Sequence, residues 1–229
     1  MKTVWRFPGL TLLLLVVGIG AATAAEPEKG PPPTAVRVEV DTSDAPELNE
    51  YGKKVKAVAE EWYPKIAELL PSDGFTPPDH VTIVFRKDYK GVAAAGGDRI
   101  VCAVKWFTDH PEDVGAIVHE LAHVVQQYPG GRKPGWLVEG IADHVRFFHY
   151  EPPEGRPHPN PDRAKYTDSY RTTAAFLEWA QATHDPKLVI KLNAACRERR
   201  YTDEIWKELT GKTADELGED WKASLRKGK

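Results

Sequence analysis

His119 and His123 stand four residues apart, with Glu120 directly after the first, in the run VGAIVHELAHVVQQY at 114–128. On a helix the two imidazoles project from nearly one face, one turn apart, so both can offer a ring nitrogen to a single ion. Glu120 is rotated to the side of that face, within reach of a water on the ion. Two neutral ligands and a carboxylate base are what zinc hydrolysis requires, because zinc lowers the pKa of its bound water towards roughly 7. Val114, Ile117, Val118, Leu121, Val124 and Val125 give the same helix a wide apolar surface. It is therefore expected to run through the core, where histidines must find partners. Without a metal, the same three residues would be two hydrogen-bonded core histidines and a salt-bridged acid.

A third ligand must come from elsewhere. The run GWLVEGIADHVRFF at 135–148 offers Glu139 and Asp143, again four apart on one helical face. One can bind the ion while the other orients a ligand histidine. The same pair also suits the solvated face of an amphipathic helix. Between the two runs, YPGGRKPG at 128–135 ends the first helix and lets the second fold back on it.

The rest of the chain must position these residues. Its 229 residues, 41% hydrophobic and 28% charged, suffice for one globular domain and not for two comfortable ones. A net charge of −3 without a long run of one sign excludes the footprint of a nucleic-acid binder. Two cysteines cannot build a four-thiolate zinc site, so a metal here falls to His and carboxylates. Cys102 and Cys196 are open to two readings, one disulfide or two buried thiols.

Lys2 and Arg6 precede an apolar run that ends in small residues, which reads as a secretory signal peptide at 1–24, with cleavage after Ala24 and Ala25 as the alternative. Its removal brings the net charge to about −5. A proline-rich linker at 25–34 follows, and 35–229 is expected to form a single zincin-like domain.

Strands are expected at 35–40, 80–85 and 99–104, with 93–97 a loop. A helix is expected over 44–70, bent or divided at Pro64, and further helices near 111–128, 136–149, 168–183, 186–198, 202–209 and 213–226. Strands first and helices after predict an α+β fold, a small N-terminal mixed sheet packed on a mainly helical body that carries the HExxH helix. GKT at 211–213 lacks the upstream glycine of a phosphate loop and reads as a helix junction, and neither GxSxG nor GxGxxG occurs.

HELAHVVQ followed by WLVEGIADHVR resembles the plant basic secretory proteins and their bacterial relatives, a family of secreted zinc peptidases. GGDRIVCAVKWFTDHPEDVGAIVHE upstream and YRTTAAFLEWA downstream are similar to that family too, so the likeness covers most of 80–220. More remotely, the HExxH plus ExxxD pattern resembles the thermolysin-like gluzincins. That resemblance implies His119, His123 and Glu139 as zinc ligands, Glu120 as general base and Asp143 as the partner of a ligand histidine. It also implies an edge strand beside the substrate cleft, assigned here to 100–104.

The expected activity is that of a secreted or periplasmic zinc metallopeptidase. It would act as a monomer on peptide or protein substrates, without nucleic acid and without stable membrane association after signal cleavage. In the expected mechanism Glu120 takes a proton from the zinc-activated water and passes it to the leaving amine, while a further donor shares the oxyanion. No counterpart of thermolysin's transition-state histidine is found. Tyr170, opening YRTTAAFLEWA after a loop, is the candidate donor; a buried structural tyrosine is the competing reading, and Tyr166 the substitute. The proline-rich 151–162, with His158, is expected to be a mobile loop, though long enough to border the cleft. Two other functional readings stay open, a zinc-retaining binding protein and a zinc hydrolase of a non-peptide amide or ester.

Overall fold

Four strands form the sheet, β1 (Arg37–Asp41), β2 (His80–Arg86), β3 (Ala93–Gly96) and β4 (Arg99–Ala103). The computed structural model describes Met1 and residues 36–227; the expected signal peptide at 1–24 and linker at 25–34 lie outside the described residues. The chain divides into two compact units, Met1–Pro32 and Pro33–Lys229, and everything below belongs to the second. The sheet order is β1-β2-β4-β3, with β1, β2 and β4 parallel and β3 antiparallel to β4. The sheet is thus mixed and the fold α+β, as the order of elements predicts.

The stretch 93–97 is not a loop, because Ala93 to Gly96 pair with Cys102 to Arg99. The edge beside the HExxH helix is consequently β3 and not 100–104, since β4 is an inner strand between β2 and β3. Alanines alone carry no strand pattern, so pairing with β4 decides the conformation.

Between β1 and β2 the chain crosses over through α1 (Asn49–Leu69), which buries Val55, Ala59, Tyr63 and Ile66 at helical spacing against β1 and the HExxH helix. Pro64 does not divide α1. Its missing N–H would have met the carbonyl of Glu60, an exposed residue, so water can take over that acceptor. After β4 the expected strand end at Val104 instead opens a short helix, α2 (Val104–Asp109).

The next helix, α3 (Gly115–Gln126), carries HExxH and is buried at every position except His123, which is half-buried. It threads between α1 and the β3–β4 edge of the sheet. A helix enclosed this way must place its end carbonyls on partners. Arg197 supplies them. Its guanidinium donates to the carbonyls of Val125 (3.0 Å) and Gln126 (3.2 Å), and to Leu70 at the end of α1 (2.9 Å). The positive charge also suits a helix C-terminus.

The helical body continues as α4 (Gly135–His144), a π-turn (Val145–Tyr150), α5 (Tyr170–Thr183), α6 (Leu188–Arg197), α7 (Ile205–Thr210) and α8 (Ala214–Lys227). Gly211, left-handed at φ 80°, closes α7 before α8, so GKT is the helix junction its sequence suggests. The 151–162 segment holds only a short turn at Pro153–Gly155, and His158 is exposed. Cys102 on β4 and Cys196 on α6 are free and buried. Burial pushes both thiols up, Cys196 to about 12, so they behave as small apolar residues.

α4 packs along α5, and Gly140 lets them approach. A Cβ there would stand 2.2 Å from Thr173 Cγ2 and 2.8 Å from its Cβ. Thr173 cannot yield, since it is fully buried and its hydroxyl donates to the Tyr166 carbonyl at 2.6 Å. Gly140→Ala would gain about 1 kcal/mol of helix propensity, but the overlap should outweigh it, for a net loss of about 1–3 kcal/mol. Thermal denaturation checks this: a lowered Tm is expected, and an unchanged one would show that α4 and α5 part freely.

Candidate metal centre

The four-residue spacing on α3 does bring His119 and His123 to one face, and the fold-back of α4 sets Glu139 and Asp143 opposite them. The two Nε2 atoms are 3.0 Å apart, and Glu139 Oε2 lies 3.2 Å from His119 Nε2 and 3.3 Å from His123 Nε2. Among the described residues these three form a group that could hold a metal ion.

Hydrogen bonding fixes what the three atoms are. Asp143 Oδ1 accepts the Nδ1 proton of His119 at 2.6 Å. The Gln126 amide donates to the Val138 carbonyl at 3.0 Å, which turns its oxygen to accept the Nδ1 proton of His123 at 2.7 Å. Each neutral imidazole therefore keeps its hydrogen on Nδ1, and both Nε2 lone pairs face the carboxylate. Three acceptors then meet with no hydrogen between them, an arrangement that repels itself unless a cation sits at its centre. Ligands about 2.0–2.1 Å from a tetrahedral ion stand about 3.3 Å apart, which the triangle matches.

The titration behaviour has the same origin. Burial works against a charged His119, but its hydrogen bonds to Asp143 and Glu139 prevail and raise it to about 9. Burial alone would raise the Glu139 carboxyl; the two imidazoles pull it down to about 2. Without a metal, a proton takes the place of the cation.

Glu120 is buried (8% exposed) and lies near the Ala95 backbone on the edge strand. Burial raises its carboxyl, and the two imidazoles and the Ala95 backbone pull the other way. Val92 accepts from the Ala103 N–H at 2.9 Å, which makes Val92, Ala94 and Gly96 the residues bonded to β4 and turns the backbone groups of Ala93 and Ala95 outward.

Tyr170 lies 54% exposed at the mouth, its ring stacked on His119 with centroids 6.0 Å apart. That exposure overturns the buried structural reading. Ser169 and Tyr170 are both left-handed, at φ 65° and 47°, a strained entry to α5 of the kind that collects at working sites. The Glu139 charge, then burial, raises the Tyr170 phenol, so it keeps its proton. Tyr166 is elsewhere: its hydroxyl donates to Asp215 at 2.7 Å on α8 and its ring packs on Trp136.

These residues open on a cleft of about 660 Å³. Its far wall holds groups that the sequence does not single out. Asp113 accepts from Trp106 at 3.0 Å and from Arg146 at 2.6 Å, and Arg146 also reaches Glu151 at 3.3 Å. Gly115 leaves room for that pair, since a Cβ there would meet Glu151 Oε1 at 2.1 Å. Gln126, buried behind His123, carries a signal the sequence does hold, a carboxamide three positions after that histidine. The π-turn brings Arg146 and Phe147 to the cleft, and the first turn of α5 adds Arg171.

Residues 41–221 match the model of a family described as peptidase of plants and bacteria, the basic secretory protein family. The chain belongs to that family. No curated protein and no solved structure matches it.

The two histidine partners generate a prediction. Asp143→Asn and Gln126→Leu should each weaken zinc binding by roughly ten- to a hundredfold, whereas Glu139→Ala should lose most of it. Competition against a chelating dye measures all three. A larger loss in Asp143→Asn than in Glu139→Ala would exchange the roles of the two acids.

Proposed function

We propose that the chain is a secreted or periplasmic zinc metallopeptidase with a gluzincin-like site on a zincin-like domain. His119, His123 and Glu139 would hold the metal, Glu120 would act as general base, Asp143 would orient His119 and Tyr170 would donate to the oxyanion. Membership in a peptidase family supports protein or peptide substrates. The observation that carries the zinc reading is the triangle of three acceptors at 3.0–3.3 Å with both Nδ1 protons already committed. The family's secretory name and the leader-like N-terminus support export, and among the described residues no helix is long and apolar enough to cross a membrane.

Zinc, when bound, supplies a Lewis acid for the scissile carbonyl and a water of lowered pKa. The chain's own residues do the rest. Glu120, raised by burial, takes a proton from the water and passes it to the leaving amine. Tyr170 keeps its phenol proton and offers it to the carbonyl oxygen as negative charge develops there. Ala93 and the Ala95 carbonyl on the open edge offer backbone groups to an extended peptide, which adds to the sheet as a further strand. This orientation explains why β3, and not an inner strand, borders the cleft.

The test is chelator-sensitive cleavage of an unstructured protein by the purified mature chain. Glu120→Gln is expected to keep its fold and zinc while losing roughly two or more orders of magnitude in rate; parental rates in that variant would refute the mechanism. Tyr170→Phe should lower kcat with little change in KM or Tm, because the side chain is exposed and takes little part in packing. An unchanged kcat would remove Tyr170 from the reaction.

A further inference from the structure

The acids of the cleft are already engaged, and one cation is not. Glu139 and Asp143 face the imidazoles, Glu120 is buried beside the same two imidazoles, and Asp113 holds Trp106 and Arg146. Arg171 lines the same cleft, is exposed, and among the described residues has no hydrogen bond and no ion pair. Its guanidinium lies over the Phe147 ring, 4.6 Å from the centroid, while Arg146 lies 4.7 Å from that ring's centroid. The neighbouring Arg146 is neutralised by Asp113 and Glu151.

The position of Arg171 is not explained by stability. It occupies the first turn of α5, where the helix dipole disfavours a cation and where no acidic residue offsets it. It follows Tyr170, whose ring stacks on His119, and it lines the same cleft as His119, His123 and Glu139. Stacking on Phe147 holds the guanidinium plane and leaves its N–H edge free, the geometry that receives a carboxylate through two parallel bonds.

We propose that Arg171 is a specificity-determining residue that receives a carboxylate of the substrate, from an acidic side chain or from a free C-terminus. The inference rests on the peptidase reading above for its substrate class. A peptide bearing that carboxylate next to the scissile bond would be favoured over its neutral isostere, and salt would reduce the preference by screening.

Matched peptide pairs test this on the zinc-loaded mature chain. Asp is compared with Asn, and Glu with Gln, at each position flanking the cleaved bond, and a free C-terminus is compared with its amide. Two readouts are taken, kcat/KM on the active protein and Kd by fluorescence anisotropy on the Glu120→Gln variant, which needs no turnover. The carboxylate member of at least one pair is expected to be favoured about fivefold or more, as a charge-assisted bond allows. That ratio should fall to about one in Arg171→Gln, drop below one in Arg171→Glu, and be reduced but stay above one in Arg171→Lys, which keeps the charge and loses the two-bond geometry.

A preference confined to the free C-terminus identifies the terminal carboxylate; one confined to Asp or Glu identifies a side chain. Absence of any preference in both readouts, or a ratio unaltered in Arg171→Gln, overturns the proposal. Cleavage without a ratio would leave the peptidase reading standing and remove this one. A binding preference that vanishes in Arg171→Gln, in a protein that cleaves nothing, would do the reverse.

Discussion

Three lone-pair acceptors brought within 3.0–3.3 Å of one another, at the floor of a cleft, are the constraint on which the rest of this structure depends. Such a cluster repels itself, and it exists only because the surrounding elements hold each member from behind. Asp143 and Gln126 fix the two imidazole tautomers. The Val138 carbonyl orients Gln126, and Arg197 fastens the backbone of Val125 and Gln126 at the end of α3. The glycine at 140 lets α4 sit tightly on α5, which steadies the helix that supplies Glu139 and Asp143. Each of these contacts favours a single geometry over many, and the energy they supply offsets a local repulsion that only a cation relieves.

Much of this could be read from residue types and spacings. HExxH placed two nitrogens on one helical face, and ExxxD on the next helix supplied the facing acids, because a period of 3.6 residues makes i and i+4 neighbours. The turn YPGGRKPG gave the fold-back that brings the two faces together. The division of roles between Glu139 and Asp143 was not readable from the spacing alone, since either side chain could have reached the ion. In the structure Glu139 meets both Nε2 atoms while Asp143 meets Nδ1 of His119, a difference of one helical turn in depth.

What escaped the sequence depended on partners far along the chain. Ala93 to Gly96 have no strand character of their own and become a strand only by pairing with β4, so the stronger pattern at 99–104 drew the edge assignment to itself. The helix at 136–149 looked continuous, yet its last turn widens into a π-turn and presents Arg146 and Phe147 to the cleft. Tyr170 lay in register with buried alanines and leucines, and a left-handed entry to α5 turned it outward instead. The open edge, the exposed tyrosine and the two arginines at Phe147 all line the cleft away from the histidine helix's own spacing pattern. The metal side is written in local spacing, whereas the substrate side is assembled from loops and chain ends whose meeting no local pattern records.

The central claim is that the acceptor triangle is a cation site, and metal content measures it most directly. Elemental analysis of the purified mature chain, dialysed after exposure to zinc, should give about one zinc per chain. In a folded His119→Ala, His123→Ala double variant the ratio should fall close to zero. A folded parent that retains no zinc after exposure, or a double variant that retains as much as the parent, would contradict the account.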